Sequence, residues 1–216
     1  MAQKLITQEQ MMQTLDKIYK SAMEGLSING FGSESCNNLA QQYLIKYQNV
    51  DKAANRFIDA QIAKCSISGF VTSLGGLITL PVAIPANVVS VIYVQMRMIG
   101  TLAVMGGYDL HDDEVQTLVY LCLVRSSITD ALKTAGVKVT EKLTIKMLKN
   151  LPGTVLTKIN QMVGFRFITK FGTKGVVNLA KVIPFVSGFT GAAIDWAATR
   201  AIANQAKSVF LEGTLD

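Results

Sequence analysis

Between Lys64 and Arg97 the chain runs for 32 residues without a formal charge. Nothing else in the sequence limits the fold as much. A stretch of that length exceeds the ~20 apolar residues that a membrane-spanning helix needs. Yet Gly75 and Gly76 interrupt it, and Pro81 and Pro85 each remove a backbone donor and restrict the residue before them. These breaks argue against one unbroken span, and two helical pieces with a bend at LPVAIP, residues 80–85, are expected. Pro85 suits the first turn of the second piece, ANVVSVIYVQMRMIGTLAVM, which Gly106 and Gly107 should stop. That piece is apolar nearly all round, as a central core helix or a lipid-facing helix would be. Freed backbone groups at membrane depth need protein or water around them, which favours the core.

The flanking segments set the fold class. From Gln8 to Leu26 the apolar residues Met11, Leu15, Ile18, Tyr19, Ala22 and Leu26 recur at three- and four-residue steps and line one helix face. GLSINGFGSES, residues 25–35, is a turn-rich break. Ser33, Glu34 and Ser35 suit the start of a second helix ending near Gln48. A third helix begins near Asp51, an acid placed at the positive end of the dipole, and buries Ala54, Phe57, Ile58, Ile62 and Cys65. No segment alternates at period two for long enough to make a sheet. The expected architecture is all-α: amphipathic helices over residues 1–66, and a helical core over 67–216 with central, proline-bent helices, packed together as one bundle domain.

A second bend is expected downstream. GGLITLPVAIP and KGVVNLAKVIP share a glycine, aliphatic positions, a leucine and a closing Ile-Pro, with Pro85 and Pro184 lying 99 positions apart. The pattern suggests a pseudo-repeat that puts two similar bends in one bundle. After Pro184, small residues Ser187, Gly188, Gly191, Ala192 and Ala193 would let a neighbouring helix approach closely.

The strings GYDL followed by an acidic helix start, KINQMVGFR, and GTKGVVNLAKVIPFVSG resemble the EcsC family of bacterial proteins, over about Cys65 to Phe210. The resemblance implies a mostly helical, intracellular bacterial protein with some link to membrane processes, since the family's namesake is encoded beside an ABC transporter. It implies no particular reaction.

The residues themselves point away from familiar catalysis. His111 is the sole histidine, and about 16 Å of helix at 1.5 Å per residue would separate it from Cys122. No GxSxG elbow, GxxxxGK[ST] phosphate loop or HExxH occurs. Asp109, His111, Asp112, Asp113 and Glu114 have donor atoms enough for a metal. Capping by Asp112, with Asp113 and Glu114 in the first turn, accounts for them without one. Neither a metal nor a cofactor is expected. Three cysteines, Cys36, Cys65 and Cys122, lie in apolar surroundings with no metal-type spacing, which fits reduced, buried thiols.

Lone charges in apolar segments are more informative. Arg97, Arg125, Asp195 and Arg200 sit among aliphatic neighbours, and an unpaired buried charge is costly, so each should pair or reach an interface. Asp195 is expected to bond Arg97 or Arg200. The three form either an internal ion pair that fixes helix register or one wall of a polar cleft between the bends at Pro81, Pro85 and Pro184.

Residues 131–194 carry nine Lys and Arg166 against Glu141 alone, a balance of +9 within a chain of net charge +6. Here VTEKLTIKMLKNL sets Lys142, Lys146 and Lys149 beside Leu143, Met147, Leu148 and Leu151, as a basic amphipathic helix would. Such a helix suits an anionic membrane, at about 1 kcal/mol per lysine. Nucleic acid is not an expected partner, because no stacking aromatics or binding motif accompany these lysines. With no secretory signal in MAQKLITQEQMMQ, the expected protein is cytoplasmic and non-catalytic. It would bind lipid peripherally at the inner membrane, on an anionic surface or a membrane complex such as a transporter, through Lys142, Lys146 and Lys149. A hydrolase with its cleft at Asp195 and Arg97, and a membrane-disrupting effector that inserts Gly69–Met105, are the alternatives.

Overall fold

A computed structural model describes residues 7–25, 27–28, 31–32, 34–65, 86–138, 150–171 and 190–214, with side chains except at 27–28, 31–32, 64–65, 86–88, 90, 170–171 and 190–196. The described residues form eight helices: α1 (Gln8–Glu24), α2 (Cys36–Tyr47), α3 (Val50–Cys65), α4 (Ala86–Met105), α5 (Asp113–Leu123), α6 (Ile128–Thr134), α7 (Gly153–Phe171) and α8 (Thr190–Phe210). The protein is all-α. One departure from the sequence expectation is a two-residue antiparallel pairing of β1 (Ser27–Ile28) with β2 (Phe31–Gly32) inside the turn-rich break.

Local chemistry sets the helix boundaries. Thr7 and Gln10 form a reciprocal capping box at the start of α1, with bonds of 3.0 and 3.2 Å. Ser35 caps α2 through the Asn38 N–H, and the Asn49 side chain accepts from the Lys52 N–H at the start of α3. α4 ends where Gly107 takes φ +82°, and its last carbonyls are satisfied by the N–H groups of Gly107 and Tyr108.

Helix α4 lies at the centre, with α1, α2, α3, α5 and α8 all packed on it. Its fully buried residues include Tyr93, Met96, Met98, Ile99 and Leu102, so its all-round apolarity serves the core of the bundle. α8 runs parallel to α4, because Gln95 bonds Thr199 midway along both helices and Tyr108 stacks edge-on against Phe210 at their C-terminal ends. α3 runs antiparallel to α8, with Asp51 paired to Lys207 and Asp59 to Arg200. α7 packs across α1, α5 and α6. There Gly164 lets the Met12 side chain approach to 3.0 Å from where a Cβ would stand. The bends at Pro81, Pro85 and Pro184, the paired Ile-Pro strings and the basic segment with Lys142, Lys146 and Lys149 lie outside the described residues.

Candidate functional site

Arg97 is 6% exposed, and its Nε and Nη2 both donate to the Glu34 carbonyl, at 3.2 and 2.9 Å, just before α2. The charge is thus met by a backbone dipole on the α2 side of α4. Gln95, two residues earlier and therefore about 200° around the helix, faces α8 instead. Arg200 pairs with Asp59 at 2.8 Å on a half-exposed surface between α8 and α3. Arg97 and Arg200 therefore lie in different seams. The Asp195 side chain lies outside the described ones.

Two other expectations meet the geometry differently. Asp112 stands at the N-cap of α5 with extended backbone but makes no side-chain cap bond, while Asp113 and Glu114 fill the first turn. The local bond runs to Asp109, whose carboxylate accepts from the His111 N–H at 2.9 Å. Among the described residues no group of three His, Cys, Asp or Glu side chains could hold a metal ion. Arg125 is exposed, at the turn after α5.

Cys36 and Cys122 are free and buried. Burial pushes the Cys36 thiol up to about 11 and the Cys122 thiol up to about 12. Neither is a ready thiolate. Cys36, at the start of α2, bonds the Ala22 and Arg97 carbonyls, and beside it a polar seam, buried at Tyr19 and part-buried at Asp16 and Gln116, runs between α1, α4 and α5. Tyr19 donates to the Leu110 carbonyl at 2.8 Å, Tyr120 donates to Asp16 at 2.6 Å, and Gln116 donates to Asp16 at 3.0 Å. Burial, above all, raises both tyrosines far beyond their usual range. The two tyrosines are paired and protonated, as a structural seam requires.

A surface of a different kind forms at the α2–α3 corner. Gln48 turns the chain in the left-handed conformation, φ +49°, and Ile45 and Val50 stand 75% and 44% exposed on either side. The ring of Tyr47 lies between them in sequence, with the ammonium groups of Lys46 and Lys52 at 5.4 and 6.0 Å from its centroid. Tyr47 contacts Tyr43, which meets the fully buried Phe57 edge-on, so the corner is anchored to the core by an aromatic ladder. Asp51, the one acid here, is neutralised by Lys207. Among the described residues neither Lys46 nor Lys52 has a carboxylate partner. The sequence did carry a signal for this corner. The apolar face of α2 passes through Cys36, Leu39, Ala40, Tyr43 and Tyr47, and Ile45 is out of that period.

A cleft of about 110 Å³ opens between α5, α6 and α7, and Ser126, Ser127, Asp130, Thr134 and Arg166 supply its polar wall. Arg166 bonds the Ser126 hydroxyl across 40 residues of sequence, and Gln205 on α8 donates to the Ser126 carbonyl at 2.8 Å. No local pattern announces a contact between residues so far apart. No helix among the described residues is long and apolar enough to cross a membrane.

The quoted strings have identifiable roles in this frame. In GYDL, Gly107 ends α4, Tyr108 packs on Phe210, Asp109 holds the His111 N–H and Leu110 receives the Tyr19 hydroxyl. In KINQMVGFR, Ile159 and Val163 are buried, the Gln161 carbonyl accepts from Gln8, Gly164 admits Met12 and Arg166 reaches Ser126. No curated protein and no solved structure matches the chain. The EcsC protein family model matches residues 3–211, a stretch that includes α1, α2 and α3 as well as the strings from which the resemblance was read. This chain belongs to the EcsC protein family.

Proposed function

We propose that this protein is a non-catalytic, peripheral membrane protein that docks on an anionic bilayer surface, alone or beside a membrane complex such as a transporter. The observation that carries the proposal is the α2–α3 corner, where Ile45 and Val50 are exposed next to Tyr47, Lys46 and Lys52 on a rigid support. Aliphatic tips enter the acyl boundary, tyrosine prefers the headgroup level, and lysines meet anionic lipid. Two lysines contribute about 2 kcal/mol at such a surface and one inserted aliphatic side chain about 1.5–3 kcal/mol. That sum is weak binding, so a second contact is required, and Lys142, Lys146 and Lys149 are assigned to it. Docking keeps α4 in the core. Insertion of Gly69–Met105, as an effector would need, would remove the helix on which five others pack.

Flotation with neutral and anionic vesicles at low and high salt tests this reading. Binding should require anionic lipid and weaken with salt. It should fall in an Ile45→Ser, Lys46→Glu, Lys52→Glu variant and in a Lys142→Ala, Lys146→Ala, Lys149→Ala variant. A protein that never floats, or that floats equally well in both variants, would refute it.

A further inference from the structure

Ser126 is held from every side by elements that meet at the cleft. Its N–H donates to the Leu121 carbonyl at 3.0 Å, its carbonyl receives Gln205, and its hydroxyl oxygen receives Arg166, leaving the hydroxyl proton free to donate. Ser127 is similar: its oxygen accepts from the Asp130 N–H at 3.1 Å, and its proton is unspent. Arg166 uses one N–H on Ser126 and has no carboxylate partner among the described residues, so the rest of its fork is available. The cleft thus presents a guanidinium and two hydroxyl donors on one wall, over an apolar floor of Leu121, Met162 and Val163.

Asp130 lines the same cleft and forms no ion pair with Arg166 or any other described cation. A bare anion would meet repulsion from it. A ligand bearing both signs would not: its acid meets Arg166, Ser126 and Ser127 while its ammonium meets Asp130. Arg166, Ser126 and Ser127 can each meet a separate oxygen, which suits the tetrahedral oxygens of a phosphoryl group better than the two coplanar oxygens of a carboxylate. The cleft, at about 110 Å³, has room to seat a compact charged group.

We infer that the Ser126–Asp130–Arg166 cleft binds a compact phosphate ester carrying an ammonium group, of the phosphoethanolamine type. The same chemistry occurs in a free small molecule and in the headgroup of a zwitterionic phospholipid. This inference does not rest on docking at the α2–α3 corner, and the free-ligand arm below tests it apart from any membrane.

Isothermal titration of the full chain with O-phosphoethanolamine, inorganic phosphate and ethanolamine is the test, beside pelleting with vesicles that contain phosphatidylethanolamine in a neutral background. Phosphoethanolamine should bind more tightly than either half alone. Arg166→Gln should weaken it about tenfold or more, and Asp130→Asn should erase its advantage over phosphate, phosphate itself binding more tightly once the repelling carboxylate is gone. Both side chains are exposed, so circular dichroism should show each variant folded. Binding to the vesicles but not to the free ester, lost in Arg166→Gln, would identify the lipid as the source. Failure to bind either form at millimolar ligand, equal affinity for phosphate, or binding unchanged in Arg166→Gln would overturn the assignment.

Discussion

Arg125 occupies a backbone position that the ends of α4 and α6 give to glycine. Helices α4, α5 and α6 end alike: a residue with positive φ donates to one orphan carbonyl, and the next residue donates to the carbonyl before it. At α4 and α6 the positive-φ residue is Gly107 or Gly136, but at α5 it is Arg125, φ +53°. A side chain there costs about 1–2 kcal/mol of local strain, part of which glycine returns as chain entropy in the unfolded state. Arg125→Gly should therefore raise stability by about 0.5–1 kcal/mol, seen as a higher urea midpoint at unchanged slope. A lower midpoint would show that the Arg125 side chain makes a contact worth more than the strain. The sequence showed Arg125 as a lone cation among aliphatic residues and nothing more. Its conformation depends on where α5 stops, and Val124, Arg125 and Ser126 contain none of the residues that usually mark such a stop.

At the scale of elements, periodicity and capping chemistry were legible wherever the signal was local. The buried face of α1, the start of α2 within Ser33, Glu34 and Ser35, and the full extent of α4 could be read directly, because each depends on residues within one or two turns. What could not be read depends on partners far along the chain. Arg97 finds a carbonyl 63 residues away, and Arg166 finds a serine 40 residues away, so neither partner was predictable from its neighbourhood. Gly106 is a case where a local stop signal also hides a long-range demand. A Cβ there would lie 2.1 Å from the Phe210 carbonyl oxygen at the end of α8, and backbone cannot yield as a side-chain tip can. Gly106→Ala should push α8 from α4, open the Tyr108–Phe210 contact and cost about 1–3 kcal/mol. Gly153→Ala, which meets nothing within 4 Å, supplies the comparison. Equal thermal midpoints for the two variants would mean that α8 does not end against Gly106.

For the whole molecule, the buried thiols and phenols of the core share one property: each is held in its neutral form. Cys36 is raised to about 11 and Cys122 to about 12, and Tyr19 and Tyr120 are raised further, in each case chiefly because burial penalises the charge. Asp16 adds to this at Tyr120, since a carboxylate can accept only from the protonated hydroxyl. In the unfolded chain the thiols lose protons near 9 and the phenols near 10. Above pH 9 the folded state therefore holds more protons than the unfolded state, and stability falls as pH rises. Below pH 9 these groups are neutral in both states and contribute no slope. Each group in its window removes about 1.4 kcal/mol per pH unit. Two thiols acting from pH 9, joined by two phenols from pH 10, are enough to exhaust a stability of about 5–15 kcal/mol within a few pH units. Urea unfolding at steps between pH 7 and pH 11 should show a flat region followed by a steepening fall. Cys36→Ala should lower stability at neutral pH, because it leaves a small cavity, yet reduce the slope between pH 9 and pH 10 by about one proton's worth. An unfolding free energy that stays level to pH 10.5 would mean that water reaches these groups in the folded state, and the α1–α4–α5 seam would then not be the dry core described here.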